Sequence, residues 1–416
     1  MLCCVSIDIN GFEKNWWVNA DLEASQITWD EPSEASLYPA SWGNFSFEGT
    51  SEGTSHKSDD DVVPTVRAWR AARFDVKTKF NVTYAQGMNC NGVGYGSAHC
   101  RPMDLQLDVS TPAVNQSTGA TPDKLKPAVV LFHGGGWSGG DRSGAGGQIY
   151  MQANVYRWAS RGFVVFNADY RLGADPTKPC PGRDDNTTMG YSVCGNFPSC
   201  CTGPSRNPWP SGACQQPSVK PTLYGNESLC PPLVTAYPAS RDAKAVVRFV
   251  RANADVFAVS SEHIIAVGCS AGGWTATTLA IASEADFKDE LTVDDDPTLA
   301  STNLHVSSKV AASVVMSGGP QAFDNMAQAV GADFSSPYGK TNAPMVVLHG
   351  DEDPAVNVSN AYRNWRAYNR TGVLFEAHIF PETKHCEKGV ESEDSMQRLS
   401  LPFVARATGI SLQEDY

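Results

Sequence analysis

The sequence has no run of apolar residues close to the roughly 20 that a membrane-spanning helix needs. It also has no excess of positive charge, since its formal net charge at pH 7 is −13, whereas nucleic-acid binding depends on clustered Lys and Arg. No internal repeat is visible along the chain. We therefore expect neither a membrane span nor a nucleic-acid partner, and nothing in the sequence favours one oligomeric state.

The composition of the 416-residue chain is that of a folded protein. Hydrophobic residues make up 41% of it and aromatic residues 10%, which is ordinary for a chain with a packed core. This length accommodates one large α/β domain with insertions, or two domains of ordinary size.

Six of the twelve cysteines lie in a segment rich in Pro, Gly, Ser and Asn. Such a segment cannot bury a core of its own, so we expect disulfides to order it. A zinc site is the alternative, but the paired C-x2-C spacing is missing and no histidine lies among these cysteines. The six are Cys180, Cys194, Cys200, Cys201, Cys214 and Cys230.

Seven N-x-S/T sequences are possible glycan acceptors, and together with the cysteines they favour a secreted eukaryotic glycoprotein. The N-terminus, Met1-Leu2-Cys3-Cys4-Val5, has no basic start and no long apolar stretch, so the signal expected of a secreted protein is not visible in this chain. The acceptors are Asn44, Asn81, Asn115, Asn186, Asn226, Asn357 and Asn369.

The chain divides into an N-terminal extension, residues 1–73, and a regular domain, residues 74–410. Within the extension, residues 41–62 are polar and have the composition of a solvated linker. Residues 174–236 form a Cys-rich insertion in the domain. We interpret the insertion as a lid over the site, and a purely structural flap is the alternative.

Hydrophobic patterning in the domain predicts strands that alternate with helices, hence a doubly wound, mostly parallel sheet. In the predicted helix 239–258, one apolar stripe faces away from Arg241, Lys244, Arg248 and Arg251. The predicted strands are 74–84, 103–109, 128–132, 163–166, 264–267, 310–316, 345–348 and 375–380, and the other helices are 148–160, 271–283, 357–368 and 393–407.

A serine stands between a predicted strand and a predicted helix, in the sequence Gly268-Cys269-Ser270-Ala271-Gly272. G-x-S-x-G in this context is typical of a nucleophile elbow. The helix that follows offers N–H groups and positive dipole character to a developing oxyanion. Ser270 is therefore our candidate nucleophile.

A second loop, His133-Gly134-Gly135-Gly136-Trp137, follows the strand at 128–132. Consecutive glycines let backbone amides approach a substrate oxygen, although a simple Gly-rich turn has the same composition. With Ala271 we assign Gly135 and Gly136 as oxyanion donors, and Gly134 is the alternative to either glycine. We expect His133 to order the loop and not to act as a base.

The acid and the base are expected after the last strands, in the chain order Ser, Asp, His. Asp351, Glu352 and Asp353 all follow the strand at 345–348 and compete for the role of acid. His385 lies in a polar loop about thirty residues later. His378 falls inside a predicted strand, where packing is the expected role.

These motifs resemble those of the HGGGW-type esterases of the α/β-hydrolase superfamily, of the hormone-sensitive-lipase-like and acetyl- and feruloyl-esterase-like groups. The resemblance spans roughly residues 74–410 and includes Asp169-Tyr170-Arg171-Leu172 and Asp242. It implies the α/β-hydrolase fold, and it selects Asp353 as the acid because this residue stands three positions after the glycine of His349-Gly350. The insertion and residues 1–73 depart from the pattern.

Two cysteines adjoin the proposed catalytic residues: Cys269 precedes Ser270, and Cys386 follows His385. If the serine and the histidine are in contact, their neighbours lie near the separation that a disulfide needs. We predict a Cys269–Cys386 disulfide, with two buried thiols as the alternative. The pairing is similar to that of tannases and feruloyl esterases.

The resemblance and the motifs together predict a serine carboxylesterase that uses Ser270, His385 and Asp353 and forms an acyl-enzyme. We expect short-acyl or feruloyl esters of carbohydrates, free or linked to polysaccharide, as substrates, and neither a metal nor an organic cofactor. An arylformamidase and a non-catalytic binding protein on a hydrolase scaffold are the alternatives.

Overall fold

We describe the fold from a computed structural model, which covers residues 44–47, 65–89, 101–137, 139–144, 150–172, 231–289, 292–294, 296–320, 337–387 and 389–414. Among these residues, nine strands form one sheet: β1 (Asn44–Phe47), β3 (Asp75–Asn89), β4 (Arg101–Ala113), β5 (Lys126–Phe132), β6 (Val164–Ala168), β7 (Val259–Cys269), β8 (Ala312–Met316), β9 (Met345–Gly350) and β10 (Phe375–Phe380). A second, two-stranded sheet contains β2 (Arg67–Trp69) and β11 (Ser411–Gln413).

The helices of the described residues are α1 (Tyr150–Ala159), α2 (Pro231–Ala252), α3 (Ala254–Phe257), α4 (Ala271–Ile281), α5 (Ser359–Thr371), α6 (Glu393–Ser395) and α7 (Leu401–Thr408). A 3-10 turn spans Pro297–Ser301, and a π turn at Met396–Ser400 joins α6 to α7. The patterning at 393–407 predicts one continuous helix, and the π turn interrupts it. Each of these helices is too short or too polar to cross a lipid bilayer.

The strand order of the large sheet is β1-β10-β9-β8-β7-β5-β6-β4-β3. The six strands from β10 to β6 in this order are parallel to their neighbours, while β1, β3 and β4 pair antiparallel. The carboxyl ends of the parallel strands therefore meet at one edge, where open α/β sheets place their sites. This is the α/β-hydrolase fold, and the predicted fold class is confirmed.

Alternation along the buried strands builds one core on each face of the sheet. In β5, Val130 and Phe132 join one apolar cluster, while Val129 and Leu131 join the other. Residues of α2, α4 and α5 belong to the first cluster, and residues of α1 and α7 to the second. Because both faces are covered, the strands are apolar on both sides, which explains their uninterrupted hydrophobic runs.

The basic side of α2 is buried, contrary to the solvated face that its patterning suggests. Arg241, Lys244 and Arg248 are 5%, 2% and 2% exposed. The Lys244 ammonium donates to the carbonyl of Ser283 at 2.6 Å, and Arg248 Nε donates to the carbonyl of Thr302 at 2.7 Å. These carbonyls, one of them just after α4, lack helical partners, and the cations supply the missing donors.

Two sequence boundaries differ in the structure. Residues 41–62 contain β1, so the interpretation of this whole segment as a linker is wrong. Asn44-Phe45-Ser46-Phe47 alternates polar and apolar residues, the period of a strand, and it pairs with β10 at the edge of the sheet. Residues 231–236 of the predicted insertion are the first turns of α2, which begins with a proline as helices often do.

Residues 65–73 pack onto the hydrolase sheet, although the sequence places them in the extension. Strand β2 pairs with the C-terminal strand β11, and Ala68 and Trp69 are buried. The six cysteines of the insertion, and the lid that we expect there, lie outside the described residues.

Candidate active site

Ser270 occupies a sharp turn between β7 and α4. Its backbone has φ 58° and ψ −125°, a conformation that costs a non-glycine residue about 1–3 kcal/mol. Two backbone hydrogen bonds hold it, from Ser270 N to Met316 O at 3.0 Å and from Trp274 N to Ser270 O at 2.9 Å. A strained serine between a strand and a helix is the geometry of a nucleophile elbow.

The first turn of α4 packs directly against the end of β5. A Cβ atom on Gly272 would lie 2.1 Å from the carbonyl oxygen of Phe132, so only glycine allows this approach. The loop that follows β5 continues through Gly135 and Gly136, whose φ values are 105° and 62°. The three predicted oxyanion donors, these two glycines and Ala271, thus belong to two backbone segments in contact.

His133 and Tyr170 support this glycine loop. The imidazole is buried, its Nδ1 lies 2.7 Å from the carbonyl of Gly134, and its ring stacks on Tyr170 with centroids 4.1 Å apart. The Tyr170 hydroxyl donates to the carbonyl of His133 at 2.7 Å. Burial lowers the pKa of His133, so the ring is neutral and suited to packing. These are the contacts of a residue that orders the loop.

An ion cluster missed by sequence reasoning fixes the far end of the same loop. Arg142 contacts Asp169 through its guanidinium and its backbone N–H, and its Nε lies 3.0 Å from Asp108. Burial raises the pKa of Asp169 despite the attraction of the Arg142 guanidinium. The sequence Asp169-Tyr170-Arg171-Leu172 belongs to the family pattern, but nothing in it indicates Arg142 as the partner of Asp169.

Next to this cluster, Arg171 and Asp242 form a buried ion pair that joins the segment after β6 to α2. The shortest guanidinium–carboxylate contact is 2.7 Å, and the side chains are 7% and 3% exposed. Arg171 N also donates to the Asp242 carboxylate at 2.8 Å. This pair anchors the segment after β6, from which Tyr170 reaches the glycine loop.

The structure brings His385 and Asp353 together. Nδ1 of the imidazole lies 2.8 Å and 3.0 Å from the two carboxylate oxygens. Backbone N–H groups of Ala355 and Val356 donate to the same carboxylate at 2.9 Å and 2.8 Å. Burial alone would raise the pKa of Asp353, but hydrogen bonds from His349 and His385 outweigh it and hold the pKa well below its ordinary value. The acid is therefore ionised at neutral pH.

His349 is a further residue of this cluster to which the sequence reasoning gave no role. Its ring is fully buried, and Nε2 lies 2.7 Å from the carbonyl of Val356 and 3.4 Å from the Asp353 carboxylate. The shorter contact is to the carbonyl, so Nε2 carries the proton and donates mainly there. The ring thereby shapes the turn that presents Asp353. The sequence could have indicated this role of His349, because the residue lies at the end of a predicted strand, four positions before the acid.

Cys269 and Cys386 form a disulfide in the structure, with Cα atoms 6.4 Å apart. Since these cysteines directly adjoin Ser270 and His385, the bond holds the two segments side by side. The N–H of Cys386 also donates to the hydroxyl of buried Ser317, at 3.2 Å. The loop before His385 is held from the other side by β9, where a Cβ atom on Gly350 would lie 2.0 Å from the carbonyl of Thr383.

One group of three potential metal ligands lies close together among the described residues. It comprises Cys269, Cys386 and Glu391, with ligand atoms within 4.8 Å of one another. Both sulfurs are bonded to each other, so neither is a thiolate that could hold a metal in this state. The groups available for chemistry at this site are therefore the side chains of Ser270, His385 and Asp353.

Two family models match parts of the chain. The model of the prolyl oligopeptidase family matches residues 238–410, and the BD-FAE model matches residues 107–193. The first range contains Ser270, Asp353 and His385, and the second contains the glycine loop. No curated protein matches the sequence.

Solved structures similar to the chain include those of a thermophilic esterase, Est2, from the Planctomycetes species Thermogutta terrifontis. The native form is 19% identical, with a TM-score of 0.48, over 81% of this chain and 93% of that one. The propionate-bound form is 18% identical, with a TM-score of 0.48, over 81% and 95%. Similarity at this level carries no conclusion about what this chain acts on.

The strained serine, the buried carboxylate–imidazole pair and the two family models all point to serine-dependent hydrolysis. The chain has the α/β-hydrolase fold, and its matches to both family models support an enzyme of the serine-hydrolase type.

Proposed function

We propose that the chain hydrolyses esters through an acyl-enzyme on Ser270, with His385 as the base and Asp353 as the residue that orients it. The observation that carries this proposal is the His385–Asp353 hydrogen bond on a segment joined by a disulfide to the segment of Ser270. Because Asp353 binds Nδ1, Nε2 is left to accept the Ser270 proton as the hydroxyl attacks the ester carbonyl. Asp353 then stabilises the imidazolium.

The tetrahedral intermediate needs donors for its oxyanion, and we assign these to the backbone N–H groups of Gly135, Gly136 and Ala271. The contact between α4 and the end of β5 supports this assignment, because the glycine loop leaves β5 beside the helix turn that contains Ala271. Removing one such donor typically costs about 100-fold or more in kcat. His385 next protonates the leaving alcohol, and water attacks the acyl-enzyme by the same route.

We propose short-acyl or feruloyl esters of carbohydrates as the substrates. Trp137 ends the glycine loop, and Trp274 lies one helical turn after Ser270, with ring centroids 5.1 Å apart. Trp274 is half-buried, so part of the indole surface is accessible. An aromatic wall of this kind packs well against a planar acyl group.

A substrate panel tests this function. Methyl ferulate and acetylated xylan should be turned over with higher kcat/KM than tributyrin or N-formylkynurenine, and Ser270→Ala should remove all of this activity. The highest kcat/KM on N-formylkynurenine would instead identify an arylformamidase. If the folded protein turned over none of these compounds, the result would favour the non-catalytic binding protein.

A peptidase is the second candidate, favoured by the match of residues 238–410 to the prolyl oligopeptidase family model. The same three side chains can cleave amides, because the acyl-enzyme route is shared. A proline-containing peptide p-nitroanilide therefore belongs in the panel. Cleavage of it with a higher kcat/KM than methyl ferulate would favour the peptidase.

We also propose that the protein is secreted and glycosylated. Two of its N-x-S/T asparagines, Asn357 and Asn369, are exposed at the start and near the end of α5. Endoglycosidase treatment of protein from its natural source should lower the apparent mass. An unchanged mass would contradict the proposal.

A further inference from the structure

A buried carboxyl group lies beside the Cys269–Cys386 disulfide. Glu391 is 8% exposed, and both of its carboxyl oxygens are buried without a hydrogen-bond partner among the described residues. One carboxyl oxygen and the two sulfurs lie within 4.8 Å of one another. An acid in such a position destabilises a fold, so stability does not account for its presence.

The surroundings of Glu391 favour its protonated form. Burial raises the pKa of this carboxyl well above its ordinary value, and the nearby cation Arg157 only partly opposes the effect. Arg157 donates to the backbone carbonyl of Glu391 at 3.2 Å, and with Arg161 it pairs with the carboxylate of Glu393. Burial thus shifts the group toward its protonated form, and neither carboxyl oxygen has a hydrogen-bond partner among the described residues.

The two sulfurs of the disulfide differ in access. Cys386 is half-buried, while Cys269 is fully buried in the core. We therefore expect a thiolate from solvent to attack the Cys386 sulfur, with the Cys269 sulfur as the leaving group. Its negative charge would appear in an apolar interior, which is costly unless a proton arrives.

We propose that the Cys269–Cys386 disulfide is a reducible modification site for small dithiols, with Glu391 as the proton donor to the departing Cys269 sulfur. A dithiol thiolate bonds to the Cys386 sulfur, the S–S bond breaks, and Cys269 takes the proton of Glu391. Water then reprotonates the Glu391 carboxylate. The second thiolate of the reagent attacks the reagent sulfur in the mixed disulfide, which releases the Cys386 thiolate and leaves the dithiol oxidised to a cyclic disulfide. Water then protonates the Cys386 thiolate.

Reduction has a consequence for hydrolysis that rests on the proposed function of Ser270 and His385. Cys386 directly follows His385, and the bond to Cys269 holds that segment beside Ser270. Once the bond opens, the segment loses its covalent link to the Ser270 turn and keeps only noncovalent contacts, to Asp353, to Ser317 and to β9. The alignment of the imidazole with the serine hydroxyl then loosens. The reduced enzyme should therefore hydrolyse p-nitrophenyl acetate more slowly, with oxidation restoring the rate.

The test measures the rate of disulfide reduction by dithiothreitol, followed by alkylation and mass spectrometry of the Cys269 and Cys386 peptides. Glu391→Gln and Glu391→Met both remove the proton donor and should slow reduction about 100-fold, the lower end of general-acid effects. The Met variant also guards against misfolding, since an apolar side chain of similar size suits a buried, unpaired position. The matched control is Glu387→Gln, an exposed acid next to Cys386, which should reduce at the wild-type rate.

Equal rates for wild type and both Glu391 variants would overturn the proposal, as would a wild-type bond that resists the reagent in the folded protein. The readout is independent of ester hydrolysis, so it remains valid if Ser270 proves not to be the nucleophile. Conversely, loss of the proton-donor effect would leave the hydrolase assignment intact.

Thermal unfolding as a function of pH tests the protonation state itself. A group whose pKa is raised on folding supports the fold below its ordinary pKa, and this support is lost as pH rises through the raised value. The Tm of wild type should therefore fall relative to Glu391→Met as pH rises from the ordinary pKa of a glutamate, about 4.3, toward the raised value. A constant difference across that range would mean that the ionisation of Glu391 is not shifted by folding, and would refute the proton donor.

Discussion

Ser270→Ala should lower kcat for p-nitrophenyl acetate by about 10⁶-fold, the scale found when a triad serine is removed from a serine hydrolase. The variant loses the nucleophile, so the acyl-enzyme cannot form and only binding and the oxyanion donors remain. Initial rates at saturating ester, measured with enough protein to detect slow turnover, give the ratio. Alanine should also be accepted by the fold, because the serine hydroxyl is not used to hold the turn.

The control for this variant is Ser359→Ala, which removes an exposed hydroxyl at the start of α5, away from the strained turn. It should keep the wild-type rate. If Ser270→Ala hydrolysed the ester at a rate within about tenfold of wild type while folding normally, the nucleophile would lie elsewhere.

Asp353→Asn should lower kcat by about 10⁴-fold, with a smaller effect on KM. The amide can present its N–H to Nδ1 of His385, which turns the imidazole into the wrong tautomer and removes the charge that stabilises the imidazolium. Because the pKa of Asp353 lies well below its ordinary value, the wild-type carboxylate stays ionised in mildly acidic buffer. The deficit of the variant should therefore persist across the neutral and mildly acidic range.

Asp351→Asn is the matched control, since Asp351 is an exposed carboxylate two positions away in the same loop. It should retain close to the wild-type kcat. The reverse pattern, an inactive Asp351→Asn with an active Asp353→Asn, would show that the acid has been assigned to the wrong member of the loop.

The parallel sheet could be predicted from the sequence because its strands are buried on both faces. Runs such as residues 128–132 and 345–348 are apolar throughout, and the structure places them in β5 and β9. Likewise, the glycines around Ser270 are needed where the backbone of β7 and α4 packs closely against neighbouring backbone. The G-x-S-x-G motif therefore indicates the turn from the sequence alone. Hydrophobic patterning and the position of glycines were therefore enough to predict these elements.

The burial of charged residues depends on contacts between segments that are distant in the sequence. Hydrophobic periodicity gives no information about such contacts. The basic residues of α2 have a solvated pattern, yet they are buried because carbonyls after α4 need donors. Patterning leaves three acidic residues after β9 in competition, and the family resemblance selects Asp353 among them. The tertiary structure gives the physical difference, because the Asp353 carboxylate is buried against His385 while Asp351 and Glu352 are exposed. In the sequence, Glu391 is one of several charged residues in a polar C-terminal segment, so its burial is not expected. The structure places it in the interior beside the disulfide.

The central claim is that a covalent acyl intermediate forms on Ser270 with the help of His385. Its most direct test is to trap the protein with a fluorophosphonate, digest it and locate the adduct by mass spectrometry. We expect the adduct on Ser270, and a much slower reaction in His385→Ala. An adduct on another residue, or unlabelled Ser270 in protein that hydrolyses esters, would contradict the account.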